Sequence, residues 1–157
     1  MSSLDTIDEL SARASRWVEL EDLLFETLGA WARTVPEPPV KRLLATWCHR
    51  HAWHAELWRA RVPHIPARAD GPDHAADVAA WIAPLQRVLA DPDLATTTAA
   101  KLAIVADPVL AAFQSALGEH RAAVDERLDG PTARILELVS ADVAAERRAL
   151  DAASALV

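Results

Sequence analysis

Residues 40–58, VKRLLATWCHRHAWHAELW, are the stretch from which the fold is deduced most directly. This stretch contains no Gly or Pro, the residues that most often end or break a helix. Large apolar residues and histidines recur in it at alternating steps of four and three, a spacing that places them on one side of an α-helix. The residues of this stripe are Val40, Leu44, Trp47, His51, His54 and Trp58. We therefore predict an amphipathic helix with two histidines on its buried face.

Pro and Gly divide the rest of the chain into segments of helical period. Pro is disfavoured inside a helix and Gly is favoured just beyond a helix end. Such breaks fall at residues 36–39, 63–72, 91–92 and 130–131. No segment shows the alternation of apolar and polar residues that is typical of a strand. The predicted helices are 5–34, 38–61, 74–90, 94–128 with a bend near Pro108, and 132–156.

The lengths of the connections predict the architecture. Four long helices joined by a short loop, a long crossover and a second short loop form a four-helix bundle of two antiparallel hairpins. The shorter helix, 74–90, belongs to the crossover and is expected on the outside of the bundle. An up-and-down order with an extra helix is the alternative, because the sequence gives the length of the crossover but not its path. With 52% hydrophobic and 25% charged residues, residues 1–157 are predicted to form one all-α domain.

Composition narrows the partners and the cellular location. The formal net charge is −7 and the Arg residues are scattered among acids, so neither nucleic acid nor anionic lipid is an expected partner. No apolar run approaches the roughly 20 residues of a membrane span, and the start, MSSLDTIDEL, lacks the order of a signal peptide. Cys48 is the sole cysteine, which excludes an internal disulfide. We expect a cytoplasmic protein.

Each helix predicted for the bundle carries at least one ionisable residue on its apolar stripe. These residues are Glu21 in the first helix, His51 and His54 in the second, His120 in the bent helix, and Asp142 and Glu146 in the last. A charge in the core costs several kcal/mol unless it is paired or coordinates a metal. The inward polar residues are therefore the candidate functional residues.

Counting from the two turns predicts that these side chains meet at one height. Glu21 and His51 are each 14 residues from the first turn, so an antiparallel hairpin places them side by side. His120 lies 10 residues before Gly130 and Asp142 lies 12 after it, a difference of about 3 Å at the rise of an α-helix. If the crossover returns the chain to the other end, His51 and His120 lie at nearly the same level. The sequence thus predicts one polar layer shared by four helices.

This layer has two interpretations. Carboxylates and imidazoles together are the ligands that proteins use for Fe, Mn and Zn, and a site with open positions could activate oxygen or water. The other interpretation is a structural network in which Glu21 accepts a hydrogen bond from His51 and Asp142 accepts one from His120. Both interpretations stay open at the level of the sequence.

Paired hairpins, a long crossover and inward acids and histidines make the chain resemble the ferritin-like superfamily. Its di-iron members carry one Glu on each of two helices and Glu-x-x-His on the other two. Here Glu21 matches a lone Glu, with Glu19 and Glu26 as alternatives in a rotated register. In the second helix, His51-x-x-His54 stands where Glu-x-x-His is expected.

The second half of the chain departs further from the di-iron pattern. His120 stands in place of the other lone Glu, with Glu119 beside it, and Asp142 is followed four residues later by Glu146 rather than three residues later by His. The chain is thus similar to small bacterial members of the superfamily with a degenerate metal site. A mononuclear, His-rich site is easier to build from these residues than a di-iron site.

The resemblance leads to two functional expectations from different classes. The first is a metal-dependent oxidoreductase that acts on a small molecule, with Fe, Mn or Zn held by ligands among the six inward residues. The second is a metal-free bundle that binds a small-molecule ligand or another protein, with the acid and histidine pairs purely structural. Self-association through spare apolar surface, giving a homodimer, is a further expectation.

Overall fold

The protein is all-helical over the residues that the structure, a computed structural model, describes: 7–63, 75–155 and 157. The predicted helix ends at 5, 74 and 156 fall outside these residues or at their edge. Elsewhere the all-α prediction is confirmed. The helices are α1 Ile7–Thr34, α2 Pro38–Arg59, α3 Ala75–Ala90, α4 Thr98–Ile104, α5 Ala111–Ala123 and α6 Gly130–Ser154, with a 3-10 turn at Pro92–Ala95 and a wide π-type turn at Val105–Leu110.

Helices α1 and α2 form a tight hairpin. Pro38 and Pro39 occupy the first turn of α2, where their missing N–H groups and fixed φ suit a helix start. Gly29 lets the two helices approach closely, since a Cβ at this position would lie 3.1 Å from the Sγ of Cys48. The predicted α2 stripe is entirely buried. The same period predicts a buried stripe on α1, and the structure buries it from Ala14 onward. The residues of the predicted α1 stripe are Leu10, Ala14, Trp17, Glu21, Leu24, Leu28, Trp31 and Val35. The first hairpin is therefore formed as predicted.

The second hairpin consists of α4 and α5 paired with α6. Asp107 adopts φ −147° and ψ 123°, outside the helical region, because the residue before a Pro is disfavoured in that region. The bend predicted near Pro108 is thus confirmed. Helix α5 ends at Ala123 and the next residue is extended, so the predicted helix end at 128 is wrong. Leu128, predicted on the buried stripe, is 68% exposed because it lies beyond that end.

The crossover carries the chain from one end of the first hairpin to the other. At the start of α4, Thr98 Oγ1 donates a 2.6 Å hydrogen bond to Glu37 Oε2 in the α1–α2 turn. At the opposite end, Arg61, just after α2, donates a 2.8 Å hydrogen bond to Asp129 Oδ1, just before α6. Helices α4 and α5 therefore run in the same direction as α2, and α3 packs against α1.

The buried face of α6 is rotated from the predicted one. The prediction put Ile135, Asp142 and Ala149 in the core, but their side chains are only partly buried. Both stripes contain Val139, Glu146 and Ala153, and the observed stripe completes them with Leu136, Val143 and Leu150. The observed stripe buries larger apolar side chains than the predicted stripe, and burial of apolar surface stabilises the fold by about 25 cal/mol per Å². Asp142 consequently lies at the edge of the core.

One stretch of the described chain, Thr98–Ala123, is long and apolar enough to cross a membrane by length and composition alone. A single stretch of this kind is weak evidence, because core helices of water-soluble proteins pass the same test. Leu102, Val109 and Phe113 of this stretch are fully buried in the core that it shares with α1 and α6. The apolar residues of this stretch therefore form part of the hydrophobic core.

Two leucines test where α5 ends. Leu117 has no exposed surface, so we expect Leu117→Ala to lower the free energy of unfolding by about 2–5 kcal/mol through lost burial and a residual cavity. Leu128→Ala should change it by about 0.5 kcal/mol or less, as is usual for exposed positions. Urea unfolding of the two variants measures both. Equal losses would contradict the end of α5 at Ala123.

Candidate metal centre

Three side chains from the first hairpin form a buried cluster at mid-height. Glu21 comes from α1, whereas His51 and His54 come from α2, where a spacing of three places both rings on one face of the helix. All three side chains have no exposed surface. Each offers one ligand atom, and these atoms lie within 4.8 Å of one another. The group could therefore hold a metal ion.

The Nδ1 atoms of both rings face the Glu21 carboxylate. His51 Nδ1 lies 2.5 Å from Glu21 Oε2, a short hydrogen bond in which the ring N–H donates. His54 Nδ1 lies 3.3 Å from Glu21 Oε1. The predicted juxtaposition of Glu21 and His51 is thus present, and His54 joins it on the other carboxylate oxygen.

The Nε2 atoms of the two rings face carboxylates of α6 on the opposite side. His51 Nε2 lies 3.1 Å from Glu146 Oε2, and His54 Nε2 lies 3.1 Å from Asp142 Oδ2. Metal-binding histidines characteristically donate their second N–H to a carboxylate, which fixes the ring and raises its basicity. Asp142 and Glu146, also predicted as ligands, lie outside the group of Glu21, His51 and His54 and can orient the imidazoles.

Electrostatic interactions shift the pKa values of His51 and Glu21 toward their charged forms. Burial alone would lower the pKa of His51, but Glu146 and Glu21 together raise it to about 10, so the ring is a cation at neutral pH. Burial alone would raise the pKa of Glu21, but its interactions with His51 and His54 outweigh burial and lower it. The carboxylates of Glu21 and Glu146 thus share the one imidazolium of His51. A divalent cation that displaced the imidazolium proton would balance the two carboxylates.

Hydrogen bonding within the protein leaves atoms of the cluster without partners. Glu21 Oε1 and His54 Nδ1 are buried and lack a hydrogen bond. His54 Nδ1 and Glu21 Oε1 face each other at 3.3 Å, and His54 Nε2 lies 3.1 Å from Asp142 Oδ2. A cation bound between these two atoms would be coordinated by both of them. The donor set thus fits a metal ion.

His120 of α5 lies apart from this cluster, contrary to the prediction of one layer. Its Nδ1 accepts a 2.9 Å hydrogen bond from Trp17 Nε1, and its ring stacks on Trp17 and Trp58. Trp17 and Trp58 are each four residues, about one turn or 5.4 Å, from Glu21 and His54 respectively. His120 therefore sits nearer the end of the bundle where α2 stops.

The early end of α5 explains this displacement. His120 is three residues from the last residue of α5, but Asp142 is twelve residues into α6. The two therefore lie at different heights, and Asp142 meets His54 instead of His120. The sequence predicts Trp17 only as an apolar core residue, and its hydrogen bond to His120 could not be predicted because the two residues lie in different hairpins.

Comparisons with models of known protein families, with curated proteins and with solved structures found no match to this chain. The geometry of the cluster is therefore the observation from which function is inferred.

The environment of His120 predicts a pH dependence of stability. Burial and the nearby Arg13 lower its pKa to about 4, against about 6.5 in an unfolded chain. The folded state therefore prefers the neutral ring, and the stability that this ring contributes is present above pH 6.5 and lost as the pH falls to 4. Solvent access at the site reduces the full effect to about 2 kcal/mol.

His120→Asn supplies the comparison, because an Asn oxygen can accept from Trp17 but does not titrate. Urea unfolding at pH 7 and pH 4 should show the wild type losing about 2 kcal/mol more than the variant. Equal losses in the two proteins would show that His120 does not carry this dependence.

Proposed function

We propose that the chain is a ferritin-like metal-binding protein that holds one Fe, Mn or Zn ion at Glu21, His51 and His54. The observation that carries the proposal is the two-sided arrangement of the imidazoles. Their Nδ1 atoms converge on one buried carboxylate, and their Nε2 atoms donate to carboxylates of another helix. A purely structural pair needs no such duplication, whereas metal-binding histidines use it.

The donor set suggests the chemistry of the ion. Two His and one carboxylate are the ligands of non-haem Fe(II) oxygenases, which keep open positions for oxygen and substrate, and of several zinc hydrolases. We propose an oxidoreductase acting on a small molecule. The three ligands have no exposed surface, so the reactant that reaches the ion is a very small one, such as dioxygen, unless the helices move.

The path of the chain supports the ferritin-like part of the proposal. The first hairpin and the α4–α5–α6 hairpin are joined by a crossover that spans their length, with His and carboxylate side chains in the shared core. Bundles of this superfamily place metal ligands in such a core. The donors here come from one hairpin, which favours one ion over a pair bridged between two hairpins.

The alternative function is that of a metal-free binding or interaction module. One observation favours the metal-free function: the imidazolium of His51 already pairs with the carboxylates of Glu21 and Glu146. Such a buried network fixes helix register even when it adds little stability. In this alternative His54 and Asp142 form a second structural pair.

Metal content distinguishes the two functions. We expect protein from cells supplied with Fe, Mn and Zn to contain about one equivalent of one of these metals, measured by inductively coupled plasma mass spectrometry. His51→Ala and Glu21→Ala should each reduce the content at least tenfold, because each removes a ligand. His49→Ala removes an exposed histidine two positions away on α2 and should leave the content unchanged.

Circular dichroism and melting temperature accompany these measurements, so that loss of metal is compared among folded variants only. Glu21→Gln is the milder variant, since it keeps the size of the side chain. Metal-free wild type that rebinds none of the three metals on dialysis would contradict the metal proposal and leave the metal-free alternative.

Substitutions at Asp142 and Glu146 test whether these carboxylates orient the imidazoles or bind the metal directly. If they orient the ligands, Asp142→Asn and Glu146→Gln should weaken metal affinity by about 10–100-fold without abolishing it. Competition with a chelator measures this affinity in each variant. Complete loss of metal in Asp142→Asn would instead make Asp142 a direct ligand.

A further inference from the structure

A small cavity lies about one helical turn from the metal cluster, at the end of the bundle where α2 stops. Its volume is about 60 Å³, and one water molecule needs about 10–15 Å³ of such space. It therefore has room for a ligand of a few non-hydrogen atoms. The lining residues are Leu10, Ala14, Trp58, Arg61, Pro63, His120, Asp129 and Thr132.

The cavity is bordered by hydrogen-bond donors that the protein leaves unused. Trp58 is 1% exposed, and its indole N–H has no acceptor among the residues that the structure describes. A buried donor without a partner costs about 1–3 kcal/mol. His120 adds a second donor, because its Nδ1 accepts from Trp17 and the proton of its neutral ring is therefore on Nε2.

Charge at the cavity favours an anion. Arg61 borders the cavity and holds its guanidinium in place through a 3.1 Å hydrogen bond to Thr132 and a 2.8 Å bond to Asp129. The charges that act on His120 from the neighbouring helix are those of Arg13 and Arg16. Arg61 is the cation that lines the cavity, and at His120 the effects of Arg13 and Arg16 on the ring oppose that of Asp129.

The remaining wall is apolar. Leu10, Ala14 and Pro63 offer carbon atoms and no side-chain hydrogen-bond donor. A ligand with a charged acceptor end and a short apolar end fits both halves of the cavity. Acetate has this size and polarity, whereas an aromatic carboxylate is too large.

We propose that this cavity is a binding site for a small aliphatic carboxylate of acetate size, with Trp58 and His120 donating to the carboxylate oxygens and Arg61 supplying the opposite charge. The site is separate from the metal cluster and does not depend on it. The ligand satisfies the indole N–H of Trp58, which is otherwise an unpaired buried donor.

Titration with sodium acetate tests the proposal directly. We expect the indole N–H resonance of Trp58 in a ¹H–¹⁵N spectrum to shift saturably with acetate and not with sodium chloride at equal ionic strength. The Trp58→Phe spectrum assigns this resonance by its absence. Sodium benzoate, which exceeds the cavity, should give no saturable shift.

Variants test the two donors. Trp58→Phe keeps an aromatic ring but removes the N–H, and should weaken acetate binding at least tenfold, read from the Trp17 indole resonance through its bond to His120. His120→Asn keeps an acceptor for Trp17 but removes the Nε2 donor, and should also weaken binding. Trp53→Phe, which changes a 47% exposed Trp on the same helix, is the matched control and should bind as the wild type does.

Each other outcome overturns the proposal. A shift that chloride reproduces indicates general ionic strength, and no saturable shift indicates a cavity that holds only water. Acetate affinity that is unchanged in both Trp58→Phe and His120→Asn places the binding elsewhere. If Trp58→Phe does not fold by circular dichroism, His120→Asn and the wild-type titration decide the question.

Discussion

The contact between Glu21 and His51 is the constraint on which the rest of the core depends. Both side chains are without exposed surface, and an unpaired charge at this depth would cost several kcal/mol. The two groups can be ionised there only if the first hairpin keeps one register. The second nitrogen of His51 then requires an acceptor from outside the hairpin, which Glu146 supplies. A pair within α1 and α2 thereby determines where Glu146 of α6 must lie.

The first hairpin could be predicted in detail because its turn is short and marked by Pro. Pro36 and Pro38 mark the end of α1 and the start of α2. Because Glu21 and His51 lie equally many residues from this turn, their contact could be predicted. The face of α6 could not be chosen in this way. Its two candidate stripes share the same period, and the choice depends on which leucines find space in the core, which is a property of the packed structure.

The second hairpin was misjudged because nothing in the sequence marks the end of α5. Val124 and Leu128 continue the apolar period, and the nearest Gly or Pro is Gly130, so the helix was extended to 128. In the structure, helix α5 ends at Ala123 and Val124 has an extended backbone conformation. Heights counted from the wrong end placed His120 beside Asp142, and the tryptophan-lined surroundings that lower its pKa were not foreseen.

The position of the donors along the chain has a consequence for assembly. Glu21, His51 and His54 all precede the crossover, and they lie in a hairpin whose own contacts bring them together. Because synthesis proceeds from the N-terminus, the complete donor set is synthesised before α4, α5 and α6. An ion captured at that stage would be enclosed later, when α6 adds Asp142 and Glu146. The second hairpin would then be the half of the protein that closes over the ion.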